Sequence, residues 1–251
     1  MINLTNLSKR FGPTQAVDNL NLKVAAGKIF AFLGTNGAGK TTTIKLMTGV
    51  IQPTSGSIEI GGYNLQKNPM EAKFLMGVVP DRPYLYNKLT GYEYLKFMSD
   101  IYKVPSKQSK VIIEELLFEF NLQEKKYDLI ETYSHGMKQR LALCGSLIHN
   151  PPLLIVDEPM VGLDPRGIKL LKENFQKRAK QGLTIFMSTH TLSIAEEIAD
   201  QIAIIKKGKI IAEGTLAEIK LYSKEQKDID LENIFLQIIS EGETDNYFTD
   251  E

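Results

Sequence analysis

Leu20, Leu22 and Val24 alternate with polar neighbours, the period of two expected of a strand with one buried face. Gly27 turns the chain into the apolar run KIFAFLG, and TTTIKLMTGV, which follows a glycine-rich segment, has helical character. QPTSGS then reads as a turn into the strand IEI, so the opening of the chain is strand, loop, helix, strand. From Pro83 to about Lys126 the period changes to helical. VIIEELLFEF places apolar residues at 112/113, 116/117 and 120, a repeat of about 3.6 residues. An α-helical lobe therefore interrupts an α/β core.

Within that lobe Tyr84, Tyr86, Tyr92, Tyr94, Phe97 and Tyr102 fall inside 19 positions and hold five of the chain's ten tyrosines. Packing inside a small helical lobe is one reading, since tyrosine buries well when its hydroxyl finds a partner. A docking surface for another protein is the other.

The second half alternates helix and strand. A helix from Gly136 to Ile148 ends at HNPP, and the apolar run LLIV follows it. Another helix, from about Arg166 to Lys180, is closed by Gly182 before the strand LTIFMST. Such alternation predicts an α/β fold with a largely parallel sheet, preceded here by an N-terminal antiparallel β part. QIAIIKKGKIIAEG reads as a hairpin around Lys207-Gly208, and Thr215 with Glu218 makes a capping box. The expected organisation is one domain over residues 1–222, with the helical lobe at about 83–149, and an extension over 223–251. That extension holds an amphipathic segment, LENIFLQII, and an acidic tail, SEGETDNYFTDE, expected to be disordered. The segment is either a regulatory or dimerising appendage or a cover for the sheet edge.

Composition narrows the function classes. At 251 residues, 43% hydrophobic and 24% charged, the chain can bury a full core. Thirty basic and thirty acidic residues cancel, so no global field draws it to nucleic acid or to an anionic membrane, and any phosphate binding must be local. The single cysteine, Cys144, shares a helical stripe with Met137, Leu141 and Ile148 and is expected to be a buried thiol. MINLTNLSKRFG lacks the pattern of a secretory signal, and uncharged runs such as Leu141 to Val156 are interrupted by HNPP. A soluble, cytoplasmic protein is expected.

The chemistry concentrates in GTNGAGKTT: Gly34, Thr35, Asn36, Gly37, Ala38, Gly39, Lys40, Thr41 and Thr42. This is G-x-x-x-x-G-K-[ST] between a strand and a helix, the context a P-loop requires. Glycines let successive N–H groups face a phosphate, Lys40 neutralises the β and γ oxygens, and the Thr41 hydroxyl can ligate Mg²⁺. Such a loop needs a second magnesium anchor at a neighbouring strand end, which LLIVDE offers in Asp157. Glu158, next along, is placed to accept a proton from an attacking water. His190, closing LTIFMSTH, either bonds a γ-phosphate, positions the glutamate or is structural. In YSHGMKQR, Ser134 is either an ordinary helix cap or part of a helix start left bare for a phosphate.

The P-loop, YSHGMKQR, LLIVDE, GLDP at Gly162 to Pro165, and His190 occur in this order. With them the chain resembles the ATP-binding cassette family, specifically the nucleotide-binding subunit of an ABC transporter, from Met1 to about Ile219. The resemblance implies a P-loop NTPase core, ATP and Mg²⁺ as ligands, and head-to-tail pairing with a second such subunit, identical or not. Ser134, His135 and Gly136 would then meet the γ-phosphate held by the partner, and Gly162, Leu163 and Asp164 would cross the same interface. Phe11 falls where the family stacks an aromatic on adenine. A separately encoded membrane permease would complete the assembly and hold the chain at the inner face of the membrane, with the aromatic lobe docked on it. GMKQR, GLDP and LENIF resemble ATPases of exporters for drugs, antimicrobial peptides or lipids.

Two segments depart from the family. Its signature carries leucine and glycine where this chain has Tyr133 and His135, and glutamine where it has Asp81. The imidazole beside the triphosphate either slows close approach or supplies a donor; a protonated His135 would favour the closed dimer. Asp81 can still ligate Mg²⁺ but brings negative charge toward the γ-phosphate. These departures favour an alternative, a regulatory module that binds ATP with little turnover, whereas intact Glu158 and His190 oppose it. The paired cassettes of translation factors and the long coiled coil of repair proteins are absent, and NKLT at Asn87 lacks the aspartate that reads guanine.

Overall fold

The computed structural model describes residues 1–221 and 231–236. β1 (Ile2–Phe11) and β2 (Thr14–Val24) form a hairpin, β3 (Ile29–Leu33) runs into the glycine loop, and α1 (Lys40–Met47) leaves it. β4 (Ser55–Ile60), β5 (Tyr63–Asn64), α2 (Pro69–Phe74) and β6 (Met76–Val79) follow. The lobe contributes α3 (Gly91–Ile101), α4 (Ser106–Glu119) and α5 (His135–Leu147). Next come β7 (Leu153–Asp157), α6 (Pro165–Lys180), β8 (Thr184–Thr189) and α7 (Leu192–Ile198). β9 (Gln201–Lys206), β10 (Lys209–Gly214) and α8 (Leu216–Leu221) close this part.

Two sheets stack face to face. One is antiparallel in the order β2-β1-β4-β5; the other runs β10-β9-β3-β8-β7-β6, parallel throughout except for β10. Every residue of β3, β7 and β8 is buried, as expected of strands covered on both faces. Their alternation decides which core each side chain joins. Ile29, Ala31 and Leu33 face the core shared with the helices, whereas Phe30 and Phe32 face the antiparallel sheet, where Phe30 stacks on Phe186 at 5.6 Å. A fully buried Phe, Leu or Ile contributes about 1.5–3 kcal/mol, so these strands anchor both layers.

Register places the chemistry. Leu33 pairs with Thr189 and Asp157 with Ser188, so the carboxyl ends of β3, β7 and β8 lie side by side. The segments that leave them are the glycine loop, Glu158 and His190. An open parallel sheet binds ligands at this edge.

The helical reading of 83–126 needs one correction: residues 83–90 are not helical, and the first lobe helix begins at Gly91 behind a capping box of Thr90 and Glu93. The apolar repeat of VIIEELLFEF does point inward, with Ile113, Leu116, Leu117 and Phe120 buried. Neither reading of the aromatic cluster holds for all its members. Tyr94 is in the core, against Gly145, whereas Tyr84, Tyr86 and Phe97 stay exposed and meet edge to face at 5.9 and 5.4 Å.

Cys144 is fully buried, and burial pushes its thiol well above the ordinary range. Residues 231–236 are helical, and Leu231, Ile234 and Phe235 join the core that holds Ile219 of α8. This part of LENIFLQII packs onto the body of the protein; the acidic tail lies outside the described residues. Among the described residues no helix is long and apolar enough to cross a membrane.

Candidate nucleotide site

The glycine loop bends where only glycine bends easily. Gly37 and Gly39 have φ of 81° and 113°, and a Cβ on Gly39 would lie 2.6 Å from the Ala16 carbonyl oxygen. Gly39 is the N-cap of α1 and offers no side-chain cap, so the amide groups of the first turn face outward, the arrangement that binds anions. Lys40 is buried, and its ammonium donates to the Gly34 carbonyl at 2.7 Å. Glu158 Oε1 lies 3.7 Å from the same ammonium.

Asp157, the last residue of β7, is buried and accepts a hydrogen bond from the Ser188 hydroxyl. Glu158 takes a left-handed backbone, φ 50°, a conformation that a non-glycine residue keeps only where its surroundings fix it. Its N–H donates to the Ser188 carbonyl at 3.1 Å, and its Oε2 lies 2.9 Å from His190 Nδ1. A carboxylate only accepts, so Nδ1 carries the proton in that pairing; the imidazole side chain is 55% exposed.

These groups border an open cavity of about 420 Å³. From the glycine loop it is lined by Thr35, Asn36, Gly37, Gly39, Lys40, Thr41 and Thr42, and from the facing segments by Asp81, Glu158 and His190. Gly34 and Ala38 form the backing: Gly34 abuts Ile205, and the Ala38 carbonyl accepts from the Gly208 N–H at 2.8 Å. Phe11 does not line it. Its ring is half exposed beneath the Lys9 ammonium, although its register partner Thr14 does reach the wall.

Ser134, His135, Gly136 and Asp164 also lie off the cavity and gather elsewhere. Ser134 caps α5 by accepting from the Met137 N–H at 3.3 Å, as the ordinary-cap reading expects. Asp164 caps α6 through the Gly167 N–H at 3.0 Å. The His135 ring packs against Gly162, and Leu163 packs against Gly136.

Sequence reasoning passed over Gln15, Val161 and Lys207, which also line the cavity, and Ser188, which holds Asp157. Lys207 has no local signal beyond its turn; it reaches the site because Gly208 is hydrogen-bonded to the glycine loop.

A parallel sheet whose strand ends carry a glycine loop, a buried lysine and an Asp-Glu pair defines a P-loop NTPase. The chain belongs to the ABC transporter family, whose model matches residues 17–161. It is 40% identical over 232 residues to the bacitracin transport ATP-binding protein BcrA of Bacillus licheniformis, covering 92% of this chain and 75% of that protein. The linearmycin resistance ATP-binding protein LnrL of Bacillus subtilis (strain 168) is 36% identical over 219 residues, 87% of this chain and 70% of that one. A solved structure of the ATP-binding subunit of an ABC transporter aligns with a TM-score of 0.89 at 31% identity, covering 95% of this chain and 99% of that chain. The protein is thus an ATPase whose hydrolysis is coupled to transport.

Proposed function

We propose that the chain powers a separately encoded permease that exports a drug, antimicrobial peptide or lipid, and that it works as one of two head-to-tail nucleotide-binding subunits at the cytoplasmic face of the membrane. Names of relatives support the exporter class: one is a bacitracin transport protein and another confers linearmycin resistance. The exposed edge-to-face row of Tyr84, Tyr86 and Phe97 supports a docked permease segment on the lobe.

In this reading the P-loop amides and Lys40 hold the β- and γ-phosphates. Hard oxygen donors, Thr41 and Asp157 with Asp81 nearby, suit Mg²⁺. Among the described residues no three His, Cys, Asp or Glu side chains group tightly enough to hold a metal alone, which fits a cation that keeps water and phosphate oxygens as ligands. Mg²⁺, when bound, would neutralise charge that develops on the phosphate oxygens. Glu158 accepts the proton of the water that attacks the γ-phosphorus, the bond to the β-phosphate oxygen breaks, and ADP and phosphate leave. His190, through Nδ1, fixes the carboxylate and turns Nε2 toward the γ-phosphate. Phe11, outside the cavity itself but paired with Thr14 at its wall, would stack on adenine, while Ser134, His135, Gly136 and Asp164 would complete the partner's site.

The observation that carries this reading is Glu158, held between Lys40 and His190 on a left-handed backbone. A module that only binds ATP has no use for it. Replacing Glu158 by Gln should lower kcat about 10²-fold or more with ATP binding retained. Turnover unchanged by that substitution would favour the regulatory alternative.

A further inference from the structure

We infer that His135 is a positioning residue that couples the start of α5 to the loop between β7 and α6 inside one subunit. A Cβ built on Gly162 would lie 2.4 Å from His135 Cδ2 and 2.9 Å from Nε2, closer than side chains pack. The imidazole fills the space that glycine leaves. Gly162 is also left-handed, φ 76°, so two independent reasons keep a side chain out. One residue on, Leu163 Cδ2 lies 3.2 Å from where a Cβ of Gly136 would be. The two pairs interlock: a ring over one glycine, a leucine over the other.

The far end of this contact is the hydrolytic site. Val161, next to Gly162, lines the nucleotide cavity, and its N–H donates to the Glu158 carbonyl at 3.3 Å. Leu163 closes a second turn onto the Met160 carbonyl, also at 3.3 Å. The loop from Glu158 to Asp164 is therefore a short, internally bonded unit, and the His135 ring is seated on it. This inference rests on the paired-site reading, in which α5 begins at the neighbour's triphosphate. His135 would then carry the position of that helix start to the chain's own Glu158 by packing, in place of a donor to phosphate.

A double-mutant cycle tests it on the full-length chain: wild type, His135→Gly, Gly162→Ala and the pair, each read for kcat, for KM of ATP and for the thermal midpoint. Backbone strain at position 162 is common to both halves of the cycle and cancels. With His135 present, Gly162→Ala should lower kcat about tenfold more than it does in the His135→Gly background, with KM changed little, because the new methyl meets the ring only in the first case. In a His135→Phe background, where a flat ring of similar reach is kept, Gly162→Ala should again lower kcat about tenfold more than in the His135→Gly background. Equal kcat losses in both backgrounds would overturn the inference. So would coupling confined to the thermal midpoint, which would make the contact structural only. Glu158→Gln, run alongside, separates the two claims: turnover that it leaves unchanged sinks the site assignment, whereas additivity at 135 and 162 sinks the coupling.

Discussion

Glu158 and His190 close on each other at the ends of adjacent parallel strands, carboxylate Oε2 to imidazole Nδ1 at 2.9 Å. The backbone N–H of His190 lies 3.4 Å from the same oxygen. One oxygen is thus held by the histidine and the other faces Lys40, a geometry in which the carboxylate cannot swing without losing both partners.

His190→Ala should therefore leave ATP affinity within a few fold of wild type and lower kcat by about 10²-fold, the lower end of what the general base it positions contributes. Steady-state turnover with a fluorescent-nucleotide binding curve checks this. A parallel rise in Kd and fall in kcat would assign His190 to binding instead.

Gly39 gives a sharper test of the loop. Alanine there must take φ near 113° and put its methyl 2.6 Å from the Ala16 carbonyl oxygen. Ala16 belongs to β2, which cannot retreat without breaking the hairpin. Gly39→Ala should weaken ATP binding more than about 100-fold while the circular dichroism stays native, since the strain is local. Gly12→Ala is the control: its φ is 55° but a Cβ there meets nothing within 4 Å, so ATP affinity should hold.

Asp81 lines the cavity with its carboxylate about half exposed, 4.0 Å from Arg82. Near a triphosphate that charge is unfavourable, and the exposed arginine screens it only in part. Asp81→Gln should lower the KM for Mg-ATP, most visibly at low ionic strength. A KM that is unchanged or raised would count against the charge argument.

Much of this site was legible in the chain. The residues of GTNGAGKTT carry their own instruction, because glycine spacing and a terminal lysine bend a loop in one way wherever a strand precedes and a helix follows. Asp157 and Glu158 were legible for the same reason, as polar residues ending a fully buried strand. Contacts made between distant segments were not. Ser188 bonds Asp157 across a strand pair, and Lys207 reaches the cavity through Gly208 on the glycine loop; each depends on register, which no local pattern encodes. The His135 contact with Gly162 is of the same kind. The tyrosine cluster misled because it was read as one group, whereas adjacent turns of α3 send Tyr94 inward and Phe97 outward.

His149 predicts an acid sensitivity unrelated to catalysis. Its ring stacks on Tyr102 at 3.7 Å and 2°, just past the end of α5, and Phe74 meets Tyr102 edge-on at 5.9 Å. Burial lowers its pKa from 6.5 to about 4. The unfolded chain therefore binds a proton between about pH 6.5 and 4 that the folded chain does not, so this neutral imidazole favours folding above 6.5 and progressively loses that contribution as the pH falls. His149→Phe keeps an aromatic in the stack and removes the titration. Thermal midpoints of wild type and variant should be parallel above pH 7 and diverge below pH 6, with the variant falling less. Identical pH profiles would mean that His149 is protonated in the folded state as readily as in the unfolded one.

The paired-site reading makes one more demand on the isolated chain. Ser134, His135 and Gly136 lie off the chain's own nucleotide cavity, as does Asp164, so a lone subunit offers the γ-phosphate only the P-loop side of the site. Turnover per molecule should then climb with protein concentration, because mass action assembles the second half. The Mg-ATPase rate measured across a hundredfold range of chain concentration decides it. A rising specific rate means that identical chains complete each other and that the signature works with His135 in place. A flat, substantial rate means that one cavity suffices and the trans roles are wrong. A rate near zero that appears only with a different nucleotide-binding subunit assigns the working pair to a heterodimer, whose second subunit supplies the missing helix start.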